Sequence, residues 1–583
     1  MTRLRSITLC GSLIAVNVLG PSLRSGQVGG QERTTFTRTD SLRGTNSPLR
    51  SWWDVTFYDL HVAINPADST IRGWNGITYR ALRSGNEMQI DLQPPLVVDS
   101  MVQDGQKLTY RRDSIAPARG GRSGRGGRGS ASADTTTRPG NAWFVTLPSS
   151  VAKGATKTLT IWYHGTPRVA VRPPWDGGFG WGLDSLGHTY FSTTNEGLGA
   201  SVWWPNKDIP SEEPDSQRIA ITVPDPIMDV SNGRLRKTTK NPDGTSTYEW
   251  FVQNPINNYD VAVNAGTYAH FADTLMGEKG KLSLDFYPLA YHADTARKQF
   301  AQAKTMLKCF EHWFGPYPFY EDGYKLVETA HLGMEHQSGI AYGNKYKNGY
   351  LGNDRSQTGL GTTWDFIIVH ESAHEWWGNN VSAADHADMW IHESFGNYAE
   401  NLYQECLTNK ADGAKYTIGQ RHIIQNDAPI VGHFGVNSEG SGDMYDKGGS
   451  MLHTIRQIIN NDEKWRSILR GIQATFGKKT VSGSQIFNYI NTQSGINFDK
   501  VFAQYLYTTR VPNFEYDIQN GVLWYRWTDV IPGFDMPIRV HAMEGGMTKI
   551  YPTEAWKSMP LDVNADAFKV DQNFYVTPVR VSH

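Results

Sequence analysis

Residues Thr362 to Gly378 read TTWDFIIVHESAHEWWG and contain the pattern H-E-x-x-H, which begins at His370 and ends at His374. On an α-helix, residues four apart project from the same face, so both imidazoles can reach one metal ion. Glu371, one position further round, can reach a water molecule bound to that metal. A buried amphipathic helix with two hydrogen-bonded histidines fits the same letters. The rest of the chain must supply the missing parts of a zinc site if the first interpretation holds.

A catalytic zinc ion takes three protein ligands and keeps one position open, so a third ligand is needed. A histidine six positions after the second is ruled out, because Asn380 stands there. Further on, Glu393 follows His374 with 18 residues between them, enough for the chain to turn and bring a second helix alongside. A lone glutamate is more often a surface residue. On chemistry alone, three side chains of this stretch remain candidates: His386, His392 and Glu393.

The bulk composition describes an ordinary folded protein with more than one domain. The chain has 583 residues, of which 39% are hydrophobic and 20% charged, and this length exceeds what one core usually holds. Lysine and arginine (56) nearly balance aspartate and glutamate (58). This balance gives no reason to expect nucleic acid or an anionic membrane as a partner.

The amino-terminal residues predict an export signal over residues 1–27. Arg3 and Arg5 precede an apolar run from Ile7 to Leu19, which has the length of a signal peptide and is too short for a membrane-spanning helix. No later run of 18 apolar residues follows, so we expect an exported, periplasmic or extracellular protein without stable membrane insertion. Two cysteines, Cys309 and Cys406, remain after cleavage, and the sequence leaves their pairing open.

Residues 28–278 predict an all-β domain, because short runs rich in β-branched and aromatic residues alternate with glycine, proline, asparagine and aspartate. The predicted strands include Val55–Tyr58, Met88–Leu92, Ala142–Leu147, Thr158–Tyr163, Arg218–Val223 and Thr245–Val252. Within this domain, residues 117–140 are rich in arginine and glycine. We interpret them as a flexible insert between strands and not as an RNA-binding segment.

The spacing of hydrophobic residues becomes that of helices over residues 279–510 and returns to that of strands over residues 511–583. Helices are predicted at Ala296–Phe314, around the H-E-x-x-H pattern, at Asp388–Tyr403 and at Ser450–Asn461; carboxy-terminal strands are predicted at Val522–Trp527, Ile538–Ala542 and Phe574–Val579. The predicted fold is therefore a multidomain α+β protein: an N-terminal β-sandwich, a mainly helical catalytic domain and a small C-terminal β-sandwich.

The run HESAHEWWGNNV from His370, followed by WIHESF at this spacing, resembles the zinc aminopeptidases related to aminopeptidase N and leukotriene hydrolase. These gluzincins carry H-E-x-x-H, then 18 residues, then a liganding glutamate. The resemblance implies a thermolysin-like catalytic domain and one zinc ion per chain. It implies that His370, His374 and Glu393 bind this zinc, and that Glu371 is the general base.

A second part of the resemblance lies upstream, where the family has G-x-M-E-N. Leu332 to Gln337 read LGMEHQ, so Leu332 replaces the first glycine and His336 the asparagine. The resemblance implies that Glu335 binds the free α-amine of a substrate, with Gly333 and Met334 at the substrate-binding edge. Only 34 residues separate Glu335 from His370.

Two further matches to the family concern a residue that would stabilise the oxyanion and a second residue that would bind the substrate amine. Tyr445 stands in YDKG, similar to the family's Y-x-K-G, and a phenol there can stabilise an oxyanion. Glu196 stands nine positions before Pro205, where the family has a second acidic residue for the amine, although Thr194 replaces the family's glutamine. The resemblance gives Tyr445 and Glu196 these two roles.

Together these residues predict a secreted zinc metallopeptidase that removes amino-terminal residues from peptides with a free N-terminus. A zinc endopeptidase on the same core is the nearest alternative, and it differs in whether Glu335 and Glu196 form an amine site. An epoxide hydrolase of the leukotriene type and a non-catalytic peptide-binding relative are further alternatives.

Overall fold

The structure, a computed structural model, describes residues 35–115 and 138–582. The predicted signal peptide and residues 117–137 of the arginine- and glycine-rich insert lie outside these ranges. The prediction of a multidomain α+β fold is confirmed: a β-rich amino-terminal part is followed by a mainly helical part and by two small carboxy-terminal sheets. No helix in the described ranges combines the length and apolar character that crossing a membrane requires.

The amino-terminal part is a β domain in which three sheets share one buried core. An eight-stranded sheet has the order β13-β14-β11-β1-β2-β8-β4-β5, a four-stranded sheet the order β12-β15-β10-β9, and a three-stranded sheet the order β3-β7-β6. The elements are α1 (Arg38–Gly44), β1 (Trp53–Asn65), β2 (Thr70–Ala81), β3 (Gly85–Asp91), β4 (Val97–Gln103), β5 (Gln106–Lys107), β6 (Thr109–Ile115), β7 (Arg138–Val151), β8 (Thr156–Gly165), β9 (Gly178–Leu183), β10 (Thr189–Thr194), β11 (Ser216–Pro224), β12 (Met228–Val230), β13 (Arg234–Lys240), β14 (Thr245–Val252) and β15 (Asn264–Gly266).

Strand burial follows the period of two that the sequence predicted. Along β14, every second residue is buried, which places Tyr248, Trp250 and Val252 in the core. All six predicted strands of this domain lie within observed strands, apart from Leu92, which follows the end of β3. The β-domain prediction is confirmed because alternation of this kind arises only when one face of a sheet is buried.

The helical part surrounds a five-stranded mixed sheet of order β16-β17-β18-β20-β19. This sheet begins before the predicted boundary at Lys279, since β16 and β17 pair as a hairpin. The elements are β16 (Phe271–Gly277), β17 (Gly280–Tyr287), α2 (Ala293–Gln299), α3 (Gln302–Phe314), β18 (Tyr324–Glu328), β19 (Gly333–Met334), β20 (Ile340–Tyr342), α4 (Phe366–Ala373), β21 (Val381–Ala383), α5 (Trp390–Leu407), α6 (Lys410–Gln420), α7 (Asp446–Ile459), α8 (Asp462–Phe476), β22 (Lys479–Val481), α9 (Gly483–Ser494) and α10 (Asp499–Tyr507).

Two of the predicted helices differ from the observed helices, one in continuity and one in length. The predicted helix Ala296–Phe314 is two helices, α2 and α3, because the chain turns at Phe300, whose ring is fully buried against Phe286 and Tyr342. The helix with the H-E-x-x-H pattern is shorter than the stretch that predicted it. It ends at Ala373, and the following residues form a turn.

The carboxy-terminal strands form a four-stranded and a three-stranded sheet that pack on the helical part through a common core. They are β23 (Asn513–Gln519), β24 (Val522–Thr528), β25 (Ile538–Met543), β26 (Gly546–Ile550), β27 (Lys557–Pro560), β28 (Lys569–Val570) and β29 (Thr577–Arg580). The predicted strand Phe574–Val579 is wrong over its first residues. The reason is that Tyr575 donates its backbone N–H to Thr454 Oγ1 (3.0 Å) on α7, and its carbonyl accepts a hydrogen bond from Tyr505.

The segment before β1 connects the β domain with the helical part. On one side, Arg50 is fully buried and pairs with Asp91 of β3. On the other side, Thr45 Oγ1 donates a hydrogen bond to the carbonyl of Gly435 (2.6 Å), and Asn437 donates its N–H to the carbonyl of Asp40 (3.3 Å). This segment therefore fixes the loop that precedes Tyr445.

Candidate active site

The helix α4 begins at an aspartate that is held from several sides. Asp365 caps the helix by accepting hydrogen bonds from the N–H groups of Ile367 (3.1 Å) and Ile368 (3.3 Å). Tyr342 and Asn344 also donate to its carboxylate, each over 2.7 Å. Burial raises the pKa of the Asp365 carboxyl to about 6, and these donors oppose the rise. An N-cap with so many partners fixes where the helix starts, and with it the direction of its side chains.

Three predicted ligand atoms meet at one point between α4 and α5. His370 Nε2 and His374 Nε2 are 3.4 Å apart, and each lies 3.6 Å from Glu393 Oε2. Glu393 Oε2 is buried and has no hydrogen-bond partner among the described residues. Zinc bonds of about 2.0–2.1 Å at tetrahedral angles place neighbouring ligand atoms about 3.3–3.4 Å apart. The triangle and its unsatisfied carboxylate oxygen therefore fit a zinc ion.

Both histidines are held by hydrogen bonds from their other ring nitrogen. His370 Nδ1 lies 2.9 Å from Glu400 Oε1, and the second oxygen of Glu400 accepts hydrogen bonds from Tyr416 and Gln420, each over 2.8 Å. His374 Nδ1 lies 2.9 Å from the carbonyl of Trp377. Such partners fix the ring orientation and leave Nε2 free for a metal. The sequence analysis did not identify Glu400, although it follows Glu393 by two helical turns on α5.

The two rival ligands lie outside the ligand triangle. His392 Nε2 accepts a hydrogen bond from the N–H of Ala383 (2.8 Å), which anchors β21 to α5. His386 lies in the short helical turn before α5. Among the described residues, neither shares a candidate metal cluster with His370 and His374.

The predicted base lies directly beside the ligands and against β19. Ligand-capable atoms of Glu335, Glu371 and His374 all lie within 4.8 Å of one another. A Cβ atom added at Gly333 would lie 2.6 Å from Glu371 Oε1 and 2.9 Å from Ile367 Cγ2, so β19 approaches α4 as closely as only glycine allows. Burial raises the pKa of the Glu371 carboxyl to about 8, while the charge of His370 lowers it.

Glu335 and Glu196 approach the same point from the two domains. Their carboxylate oxygens lie within 4.8 Å of each other and of Glu393. Tyr259 of the β domain donates a hydrogen bond to Glu335 Oε1 (3.0 Å), and Asn379 donates to the Glu335 carbonyl (2.8 Å). Burial, followed by the charge of Glu335, raises the pKa of the Glu196 carboxyl well above its ordinary range. Two carboxylates this close require a cation between them or a shared proton.

Tyr445 lies at the start of α7, with its ring centroid 5.9 Å from that of His370. Burial and then the charge of Glu393 raise the pKa of the Tyr445 phenol well above its ordinary range, so the hydroxyl keeps its proton. The carbonyl of Met444 accepts a hydrogen bond from Ser394 Oγ (2.7 Å), which ties the start of α7 to α5.

All nine predicted site residues line one cleft between the β domain and the helical part. Among the residues that the structure describes, six more line it that the sequence analysis did not assign to the site: Pro174, Trp175, Gly197, Leu332, Glu439 and Met444. Trp175 lies on the loop between β8 and β9, and Glu439 on the loop between α6 and α7. Neither loop carries a recognisable motif.

The geometry agrees with comparisons of the sequence. The sequence model described as the peptidase family M1 domain matches residues 299–505, which include the H-E-x-x-H helix, Glu393 and Tyr445. Residues 299–505 of this chain therefore resemble the peptidase family M1 domain. This likeness supports one catalytic zinc ion, which the ligand triangle fits.

Two proteins of similar sequence show how low the sequence identity is. Aminopeptidase N of Lactococcus lactis subsp. lactis is 22% identical over 278 residues, which are 43% of this chain and 31% of the relative. Endoplasmic reticulum aminopeptidase 1 of Mus musculus is 22% identical over 243 residues, which are 38% of this chain and 26% of the relative. The chain thus matches less than a third of the length of these relatives.

The fold is shared along much more of the chain. A variant of the M1 zinc metallopeptidase from Deinococcus radiodurans, solved with a Tyr-Ser-Ala substrate, superimposes with a TM-score of 0.63 at 21% identity. The match covers 81% of this chain and 98% of that protein. Another structure of the M1 zinc metallopeptidase from this organism gives a TM-score of 0.62, with coverage of 79% and 94%. The chain therefore shares its fold with these structures over about four fifths of its length.

Proposed function

We propose that this protein is an exported zinc aminopeptidase that releases the first residue of peptides with a free amino terminus. The observation that carries the proposal is the position of two glutamates, Glu335 and Glu196, within 4.8 Å of the zinc-ligand residue Glu393. A substrate ammonium held by these carboxylates brings the first peptide bond, and no later one, over the ligand triangle.

His370, His374 and Glu393 would hold the zinc ion. In this position zinc supplies Lewis acidity, which polarises a scissile carbonyl and acidifies a water molecule. Glu400 keeps the His370 ring in the orientation that ligation needs, through the 2.9 Å hydrogen bond to Nδ1.

Glu371 moves the protons of the reaction. Its carboxylate takes a proton from the attacking water and passes it to the amine nitrogen that leaves. The close approach of Gly333 limits the positions that this carboxylate can take.

Tyr445 supplies the donor for the developing oxyanion. Because burial keeps the phenol protonated, its hydroxyl can donate a hydrogen bond to the carbonyl oxygen as negative charge grows there. Gly333 and Met334, on the short strand β19, form an edge along which the substrate backbone can lie.

The proposal of export rests on two observations. The amino-terminal sequence has the pattern of a signal peptide. In addition, Cys309 of α3 and Cys406 of α5 form a disulfide, which is typical of proteins that fold in an oxidising compartment. Periplasm and medium both meet this condition, and cell fractionation distinguishes them.

The deciding experiment compares a pentapeptide having a free amino terminus with its N-acetylated form. We expect the acetylated peptide to react about 100-fold more slowly, because it leaves the two amine-site carboxylates without a cation. Both rates should vanish on zinc chelation and return with added zinc. Equal rates would instead favour the endopeptidase. Glu371→Gln serves as the control: it should retain zinc by elemental analysis and lose turnover.

A further inference from the structure

A buried arginine behind the cleft pairs with the residue that follows Tyr445. Arg355 lies on the loop between β20 and α4, and its side chain is 10% exposed. Its guanidinium lies 3.1 Å from Oδ2 and 3.5 Å from Oδ1 of Asp446, the first residue of α7, whose side chain is 6% exposed. The mechanism above gives neither member of this pair a role.

An ion pair this deeply buried adds little to stability on balance. Both charges lose their hydration, and replacing both by neutral side chains of similar volume is often neutral for folding. Burial lowers the pKa of the Arg355 guanidinium, but the charges of Asp446 and then Glu400 outweigh it, so the pKa rises and the cation persists. A pair that adds little stability and joins a loop to the start of α7 is better explained by what it holds in place.

Tyr445 lies between two tethered points of the chain. Before it, the start of α7 is tied to α5 through the hydrogen bond from Ser394 described above. After it, Asp446 accepts a hydrogen bond from Asn397 Nδ2 of α5 (3.2 Å) in addition to its pair with Arg355. Because Tyr445 precedes the helix, these tethers on either side set the direction of its side chain.

The same guanidinium packs on a row of rings behind the site. Its Cζ atom lies 5.2 Å from the centroid of the Phe366 ring. The Phe366 ring stacks on the imidazole of His370, with centroids 5.2 Å and planes 13° apart, and this imidazole in turn lies against the Tyr445 ring. Arg355 therefore supports Tyr445 twice, through the residue that follows it and through the rings beside its phenol.

The loop holds Arg355 in place through the residues on either side of it. Asp354 Oδ1 accepts hydrogen bonds from the N–H (2.8 Å) and the hydroxyl (2.7 Å) of Ser356, and its other oxygen accepts one from the N–H of Gly359 (2.6 Å). A Cβ atom at Gly419 of α6 would collide with the carbonyl of Ser356, so this turn is packed on α6. The loop is thus a fixed support from which Arg355 can hold α7.

We propose that Arg355 is a positioning residue for Tyr445: paired with Asp446, it holds the start of α7 so that the phenol hydroxyl meets the developing oxyanion. This inference rests on the aminopeptidase function proposed above. Arg355 does not line the cleft, so its effect on the reaction passes through Tyr445 and not through contact with the substrate.

The test removes both members of the pair, so that no buried charge is left without its partner. In Arg355→Met combined with Asp446→Asn, we expect kcat on leucine p-nitroanilide to fall about 10- to 100-fold, the cost of a misplaced oxyanion donor. KM should stay within about threefold of the wild-type value, because substrate contacts are unchanged. Zinc content should remain at one ion per chain, and the unfolding temperature should stay near that of the wild type.

The deciding measurement repeats the change in Tyr445→Phe, which lacks the hydroxyl. If Arg355 acts through this hydroxyl, removing the pair should then lower kcat by less than about threefold more. A loss as large as that in the wild-type background would overturn the proposal. Loss of zinc would also overturn it, since the effect would then lie on the zinc ligands.

A second buried pair between α5 and α7 provides the matched control. Arg456, near the far end of α7 from Tyr445, donates to both carboxylate oxygens of Glu405 on α5 (2.7 and 3.0 Å). Arg456→Met combined with Glu405→Gln should leave kcat within about threefold of the wild type. An equal loss in this control would overturn the assignment to Arg355. Absence of zinc-dependent hydrolysis by the wild-type protein would instead overturn the aminopeptidase function on which the assignment rests.

Discussion

The contact between β19 and α4 gives the sharpest test of how the proposed base is positioned. In Gly333→Ala, the new methyl group would lie 2.6 Å from Glu371 Oε1 and 2.9 Å from Ile367 Cγ2. Ile367 is buried on the same helix and cannot yield, so the carboxylate must move by about 0.8 Å to reach ordinary van der Waals separation. Displacement of a reacting group by about 1 Å can cost about 100-fold in rate.

We therefore expect Gly333→Ala to lower kcat on an aminoacyl amide about 100-fold. Zinc content should stay at one ion per chain, because the methyl group does not touch a ligand. Both quantities are measured on one preparation, by steady-state kinetics and by elemental analysis.

Gly339→Ala is the matched control in the same segment. A Cβ atom there meets no atom closer than 3.5 Å, so activity should change little. The reasoning is refuted if Gly333→Ala stays within about threefold of wild-type kcat, or if it loses zinc along with activity, since loss of zinc would mean that the ligands moved and not the base.

Three further predictions concern other parts of the molecule. Glu400→Gln removes the negative partner of His370, so zinc affinity measured by chelator competition should fall about 10- to 100-fold. Replacing Cys309 and Cys406 by serine opens a loop with a sequence separation of 97 residues; denaturant titration should show an unfolding free energy lower by about 2–4 kcal/mol. Burial raises the pKa of Glu213 to about 7. The native state therefore binds this proton more tightly than the unfolded chain, and stability falls as pH rises from about 4.5 to about 7. Glu213→Gln should escape this fall, and its stability relative to wild type should increase over that window.

The zinc-site residues could be predicted because their relations are local. His370 lies on α4 and His374, four residues later, caps the end of that helix, while Glu393 follows at a spacing that resembles that of a known family. The structure brings all three to one point. Glu400 could also have been found, since it lies seven residues after Glu393 on the same helix, where two turns return a side chain to the same face.

Other features depend on contacts between distant segments, so sequence periodicity could not reveal them. Tyr259 reaches Glu335 from the other domain, and Trp175 and Glu439 lie on loops without motifs. The pairing of Cys309 and Cys406 required the relative placement of α3 and α5.

Strand and helix ends were missed for a related reason. The hydrophobic pattern around Phe300 fits a continuing helix, and the pattern around Tyr575 fits a continuing strand. In the structure, the burial of Phe300 and the hydrogen bond from Tyr575 to another element end the regular structure there.

Helix α5 carries Glu393, and helix α7 begins directly after Tyr445. The two helices meet at two glycines of α7. Added Cβ atoms at Gly448 and Gly449 would collide with Ser394 and Asn397 of α5, so these helices lie at the closest distance that backbones allow. Such an interface leaves no room for a side chain at either glycine. Any larger residue there would push α5 and α7 apart, and with them Glu393 and Tyr445, so the distance between these two site residues depends on the absence of two side chains.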